Sequence, residues 1–179
     1  MGKKVLIVSS SPRKQGNSDT LCMRFKAGAE ESGNVVRYVN LNDMRIGYCK
    51  GCYACHETHK CVIQDDMSTL CEVIKNADVI VLATPVYFYS MSGQLKTFID
   101  RLVPVYESLQ GKEVYIFATG ADTDTKMFDV VVEAIRGLTR DCMEGTKEKG
   151  VIMCGGVDKV GDIKNTKEYD MAYEMGKKV

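Results

Sequence analysis

Val5-Leu6-Ile7-Val8-Ser9-Ser10-Ser11-Pro12-Arg13-Lys14-Gln15-Gly16-Asn17-Ser18 joins an unbroken apolar run to a polar, glycine-containing loop, and a helical pattern follows at once. Apolar residues without alternation are what a central parallel strand covered on both faces requires. From Asp19 to Ser32, Leu21, Cys22, Phe25 and Ala29 fall on one helical face, and Gly33 ends the helix. The strand signature recurs at Val35–Val39, Val79–Ala83, Val114–Ala118 and Gly150–Cys154. Helical spacing returns between these runs. Met67, Leu70, Cys71 and Ile74 share a face over 66–76, Leu95, Phe98, Ile99 and Leu102 over 94–102, and Val131, Ile135 and Leu138 over 127–138. A weaker amphipathic helix is expected over about 165–175. This alternation predicts an α/β, doubly wound sandwich with a five-stranded parallel sheet and helices on both faces.

The 179 residues suit one domain at about 100–200 residues per domain, spanning 1–179. The 24 basic and 24 acidic side chains cancel, which removes the field that would hold a nucleic acid or an anionic membrane non-specifically. A hydrophobic share of 45% with 27% charged residues is globular rather than disordered. No apolar run approaches the roughly 20 residues of a spanning helix. Met1-Gly2-Lys3-Lys4 leads into an apolar run too short for a signal-peptide core. The expectation is a cytoplasmic protein with neither nucleic-acid nor membrane partners.

The rhythm breaks between Leu41 and Gln64, an aperiodic stretch of the length that usually marks a functional loop. Within it, at about 44–64, lies a cysteine-rich insertion carrying Cys49, Cys52, Cys55 and Cys61. The other cysteines of the eight, Cys22, Cys71, Cys142 and Cys154, are scattered among apolar neighbours and read as small buried hydrophobes. With no export signal, a local cysteine site is expected rather than a disulfide framework. The spacing C-x2-C-x2-C-x5-C lets a turning backbone aim successive thiolates at one centre. His56 and His59 lie in the last gap, so zinc is chemically allowed too, and exposed histidines are the plainer reading.

Ligands of such sheets bind at the carboxyl ends of the strands, near the point where strand order reverses. Three strand-end loops qualify. The first, Ser9–Ser18, lacks a dinucleotide or P-loop spacing, but offers hydroxyls, Arg13, Gly16 and a helix N-terminus to a phosphate. Its plainer reading is a turn capped by Asn17 or Ser18. The second, Thr84–Gly93, is aromatic-rich and suits a planar ring, or packs on neighbouring helices or a second subunit. The third, Thr119–Asp124, is small and polar, and either closes over the same ring or turns the chain.

Ser9-x-Ser11-Pro12-Arg13-x-x-Gly16-Asn17-Ser18, Pro85-Val86-Tyr87 and Leu95-Lys96-x-Phe98-Ile99-Asp100-Arg101 together resemble the NADPH-dependent FMN reductase family of flavodoxin-like proteins. The resemblance spans most of residues 4–155. It implies one flavodoxin-like, FMN-binding domain. Ser9, Ser11, Pro12, Arg13, Gly16, Asn17 and Ser18 would lie at the phosphate. Pro85, Val86, Tyr87, Phe88, Tyr89 and Ser90 would lie at the ring, with Thr119, Gly120 and Asp122 beside it. Asp100 and Arg101 are read as an ion pair or cap supporting the ring loop. The cysteine motif is similar to that of the iron–sulfur flavoproteins, which implies Cys49, Cys52, Cys55 and Cys61 as ligands of a [4Fe–4S] cluster. Cluster-free reductases resemble the same segment, including Asp65-Asp66-Met67, so unligated thiols stay open beside cluster and zinc.

The resemblance implies an FMN-dependent oxidoreductase moving electrons between a reduced donor, NAD(P)H among the candidates, and a small-molecule or protein acceptor. A cluster would be a one-electron relay; without it, an NAD(P)H-dependent FMN or quinone reductase is implied. No side chain is required as a general base, because the flavin carries the chemistry. A homodimer or homotetramer is implied by the family. A flavodoxin-like electron carrier fits the zero net charge poorly, and a thiol- or metal-binding sensor fits the intact first loop poorly.

Overall fold

The computed structural model describes residues 2–179. The chain runs β1 (Lys4–Ser9), α1 (Asn17–Glu31), β2 (Val35–Asn40), α2 (Ala54–Thr58), α3 (Met67–Lys75), β3 (Val79–Tyr87), β4 (Ser90–Met91), α4 (Gly93–Asp100), β5 (Glu113–Thr119), α5 (Asp129–Thr139), β6 (Lys147–Cys154) and α6 (Lys167–Lys177). Five strands pair in the order β2-β1-β3-β5-β6, and every pairing along that path is parallel. The expected doubly wound sheet is therefore present. The chain steps from β1 outward to β2, then returns across β1 to β3, which places the topological switch point between the carboxyl ends of β1 and β3.

Strand periodicity divides the core in two. Leu6, Val8, Ile80, Leu82, Val114 and Ile116 face one side, under Leu70, Phe98 and Ile135 of α3, α4 and α5. Val5, Ile7, Val79, Val81, Tyr115 and Phe117 face the other, under Leu21 and Phe25 of α1 and Ala172 of α6. The weakness of the C-terminal helical pattern has a physical cause: α6 buries only Ala172 and Gly176. A Cβ on Gly176 would stand 2.2 Å from the Phe25 carbonyl oxygen, and one on Gly28 would stand 2.2 Å from that of Tyr173. The α1–α6 contact is a close backbone approach that only glycine permits.

The structure revises one expected loop. Thr84 to Tyr87 continue β3, and β4 adds a sixth, antiparallel strand through the pairs Val86–Met91 and Tyr87–Ser90. Only Phe88 and Tyr89 form the turn, with φ of 47° and 59°. Two central residues in the left-handed region are what a type I′ hairpin demands. Neither is glycine or asparagine, so the usual sequence signal is missing.

Candidate functional site

The first strand-end loop is built to leave backbone donors free. The N-cap of α1 is Gly16, which has no side chain to cap with, rather than Asn17 or Ser18 as the capped-turn reading expected. Thr20 N donates to Gly16 O at 2.8 Å as the helix begins, so the N–H groups of Asn17, Ser18 and Asp19 lack intrahelical acceptors. Asn17 is tied to the segment after β6, its Nδ2 donating to Lys159 O and its Oδ1 accepting from Ile163 N. Ser18 Oγ meets Thr119 Oγ1 at 2.8 Å, tying the first loop to the third. A Cβ on Gly16 would stand 2.6 Å from Ser11 Oγ and 3.0 Å from Arg13 O, so a side chain there would displace the Ser11 hydroxyl. Positive potential from the uncapped helix end adds to Arg13.

Beneath the cradle, Asp19 Oδ2 accepts from Gln15 N, and Tyr38 and Asn40 donate to Asp19 Oδ1. This network holds Gln15 in its left-handed conformation, φ 56°. Burial, reinforced by the bond to Asp19, pushes the Tyr38 phenol well above its ordinary pKa. Burial and the Asp19 charge likewise keep the Cys22 thiol protonated.

A cleft of about 230 Å³ opens above the cradle. It brings together Ser11, Arg13, Gly16, Asn17 and Ser18 from the first loop, Pro85, Val86 and Tyr87 from β3, and Thr119 and Gly120 after β5. Other expected residues lie elsewhere. Ser9 is a buried strand residue whose Oγ has no partner. Pro12 sits outside the lining, as does Ser90, which is in β4. Phe88 and Tyr89 project outward as the hairpin tip, Phe88 fully exposed. Asp122 braces the turn instead, its carbonyl accepting from Gly156 N and its Oδ1 from Asp124 N, both at 2.9 Å. Ala121 of the third loop also lines the cleft, as do Val157 and Asp158, which were not expected. Arg13 Nη1 donates to Asp158 O at 2.8 Å. The available signal was Gly155-Gly156 after β6, which follows a strand neighbouring β5 and so ends beside the third loop.

The four motif cysteines surround a second, smaller space of about 140 Å³. Left-handed residues stand between successive thiols: Gly51 at φ 62°, Tyr53 at 59° and His59 at 52°. Each turns the chain, so that Cys49, Cys52, Cys55 and Cys61 all face one interior, and α2 fills only part of the last gap. Gly51 N donates to Cys49 Sγ at 3.5 Å. Burial raises the Cys55 pKa, and the neighbouring Cys61, Cys52 and Cys49 charges raise it further. Among the described residues, no three His, Cys, Asp or Glu side chains stand together as a metal site. His56 and His59 are exposed and lie outside the ring. Of the remaining cysteines, Cys22, Cys71 and Cys154 are buried as expected, and burial pushes Cys71 up to about 11. Cys142 is exposed, contrary to expectation, because it follows the last turn of α5.

Arg101 and Asp100 also differ from expectation. Asp100 pairs with Lys96 on the surface of α4. Arg101, with 1% of its side chain exposed, supports the cysteine segment rather than the ring loop. It donates to both carboxylate oxygens of Asp65, at 2.7 and 2.9 Å, and to Gly47 O at 2.7 Å. Burial would raise the Asp65 pKa, but these bonds and the Gly47 and Met67 N–H groups outweigh it and hold the carboxyl below its ordinary value.

Sheet order, an uncapped helix end at the switch point and a cleft among three strand-end loops define a flavodoxin-like α/β protein. Residues 3–132 match the NADPH-dependent FMN reductase family, and the chain belongs to it. It is 38% identical over 101 residues to an iron–sulfur flavoprotein of Archaeoglobus fulgidus, covering 56% of this chain and 46% of that one. An iron–sulfur flavoprotein of Methanocaldococcus jannaschii is 38% identical over 102 residues, covering 57% and 53%. The chain thus spans about half the length of the curated relatives it matches. Among solved structures, an NAD(P)H:quinone oxidoreductase from Methanothermobacter marburgensis superposes with a TM-score of 0.76 at 15% identity, covering 99% and 96% of the two chains. An archaeal flavodoxin follows with 0.63 at 16% identity, covering 98% and 94%. At these identities the structural matches speak for the fold alone. No helix among the described residues is long and apolar enough to cross a membrane.

Proposed function

We propose that this protein is an FMN-dependent oxidoreductase whose 230 Å³ cleft holds the flavin phosphate and its chain, and whose cysteine ring holds a [4Fe–4S] cluster as a one-electron relay. The observation that carries the flavin reading is the α1 N-terminus. A side-chain-free cap at Gly16 leaves three N–H donors of the first turn without intrahelical acceptors, at a cleft that Ser11, Arg13 and Ser18 line, a combination suited to a dianionic phosphate. FMN supplies hydride acceptance and one- or two-electron release when bound, and the cluster supplies one-electron transfer. The chain's own residues bind and orient. Arg13 neutralises phosphate charge, Thr119 and Ser18 brace the cleft, and Tyr87 with the hairpin tip offers an aromatic surface to a flat ring. The family and the iron–sulfur relatives support this reading, and so does the meeting of all four motif cysteines in the wall of one cavity.

The test is titration of flavin-free protein with FMN, followed by loss of flavin fluorescence, and then NAD(P)H oxidation with a quinone acceptor. Saturable binding and flavin-dependent NAD(P)H oxidation are expected. A chain that neither binds FMN nor oxidises NAD(P)H rejects the proposal. Flavin binding and NAD(P)H oxidation without iron would leave the cluster-free reductase.

A further inference from the structure

Among the described residues, Arg101 is the only buried cation. A guanidinium has five N–H donors. Four are matched: Nη1 to Gly47 O and Asp65 Oδ2, Nη2 to Asp65 Oδ1 and Ile63 O. These acceptors flank the cysteine motif, Gly47 just before Cys49, and Ile63 and Asp65 just after Cys61. One side chain from the end of α4 therefore closes the loop at both ends. The fifth donor, Nε, is buried and has no partner. An orphaned buried N–H carries an uncompensated desolvation cost, so the guanidinium lacks one acceptor.

The missing acceptor is at hand. Cys61 and Arg101 share the wall of one cavity. Cys61 is also the one residue shared by the 140 Å³ space inside the ring and a separate cavity of about 370 Å³, whose wall includes Arg101. It stands at the boundary between the ring interior and the outside. A neutral thiol accepts hydrogen bonds weakly, whereas the thiolate of a ligated cysteine is a charged acceptor.

We propose that Arg101 is the positioning residue of the cysteine ring, its Nε–H reserved for the Cys61 sulfur in the ligated state. This rests on the cluster reading above. A buried cation bonded to a ligand sulfur favours the more negative, reduced state of whatever that sulfur binds, and so raises its reduction potential. Asp65 acts through Arg101, fixing the plane of the fork so that Nε faces Cys61.

The experiment uses the full chain loaded with iron and sulfide under anaerobic conditions, in wild type, Arg101→Lys, the charge-balanced Arg101→Gln/Asp65→Asn variant and Lys60→Gln. Iron, sulfide and flavin are counted, the potential is titrated with EPR detection, and iron loss to a chelator is timed. Arg101→Lys keeps a charge but lacks Nε. Its potential should fall by about 59 mV, a tenfold change in a one-electron equilibrium, and iron loss should quicken with flavin content unchanged. Retained flavin with no cluster at all also supports the proposal. Lys60→Gln removes an exposed cation beside Cys61 and should leave the potential where it was. The charge-balanced variant should shift as Arg101→Lys does and decides the matter if Arg101→Lys fails to fold. Wild-type potential and iron-loss rate in both Arg101 variants would overturn the proposal alone, whereas an iron-free wild type would overturn it together with the cluster reading.

Discussion

The proposed phosphate cradle and the cysteine ring lie on one chain and are built on opposite principles. The cradle is backbone architecture. The sheet brings β1 and β3 together at the switch point, α1 starts where the loop ends, and its donors are N–H groups whose positions the helix dictates. The ring is a side-chain device on an irregular segment. Its thiols are exposed or half-buried, its helix has five residues, and its principal tie to the core is a single buried ion pair. A site made by the fold should lose affinity by increments when one contributor is removed. A site made by four side chains and one clamp should fail all at once.

Substitutions can break this contrast. Cys52→Ser should abolish iron uptake while flavin content stays unchanged, read by iron and flavin assays on anaerobically prepared protein; joint loss of both would show that the two sites are not separately built. Asp65→Asn leaves the buried Arg101 charge unanswered and should cost about 3–5 kcal/mol in denaturant unfolding. Because the folded Asp65 pKa lies below its ordinary 3.8, this contribution is present above the unfolded pKa and is lost as pH falls through the folded value. The difference between wild type and Asp65→Asn should accordingly shrink in acid below about pH 4; a constant difference from pH 7 to pH 2 would contradict the clamp.

Smaller effects sharpen the cradle. Arg13→Ala removes one charge-assisted contact and should weaken FMN binding by about 1.5–3 kcal/mol without eliminating it, as isothermal titration would show. The hairpin tip should respond in the opposite direction. Tyr89 is held at φ 59° and is half-exposed, so Tyr89→Gly relieves left-handed strain and should stabilise the protein by about 1 kcal/mol. A loss of stability would mean that the tyrosine packs on something in solution.

Much of this was legible in the sequence because it depends on short-range patterns. The runs at Val5, Val79 and Val114 mark buried strands, and Leu21, Phe25 and Ala29 repeat at helical spacing, so the sheet and α1 could be read directly. The cradle followed from Gly16, Arg13 and a strand-to-helix junction. What escaped depends on distant pairings. The β3–β4 hairpin has aromatic residues where glycine is usual. Asp158 enters the cleft from the far end of the chain through its bond with Arg13. Arg101 and Asp65 are 36 residues apart, and no local pattern says that a residue at the end of α4 grips the cysteine segment instead of the ring loop.

The most direct test of the account is the visible spectrum of anaerobically purified protein, with flavin, iron and acid-labile sulfide counted per chain. The account predicts flavin bands above a broad, bleachable shoulder, with about four iron and about four sulfide per chain. Flavin with neither iron nor sulfide would contradict the cysteine ring as a cluster site and leave the cradle standing. Iron without flavin would contradict the cradle itself.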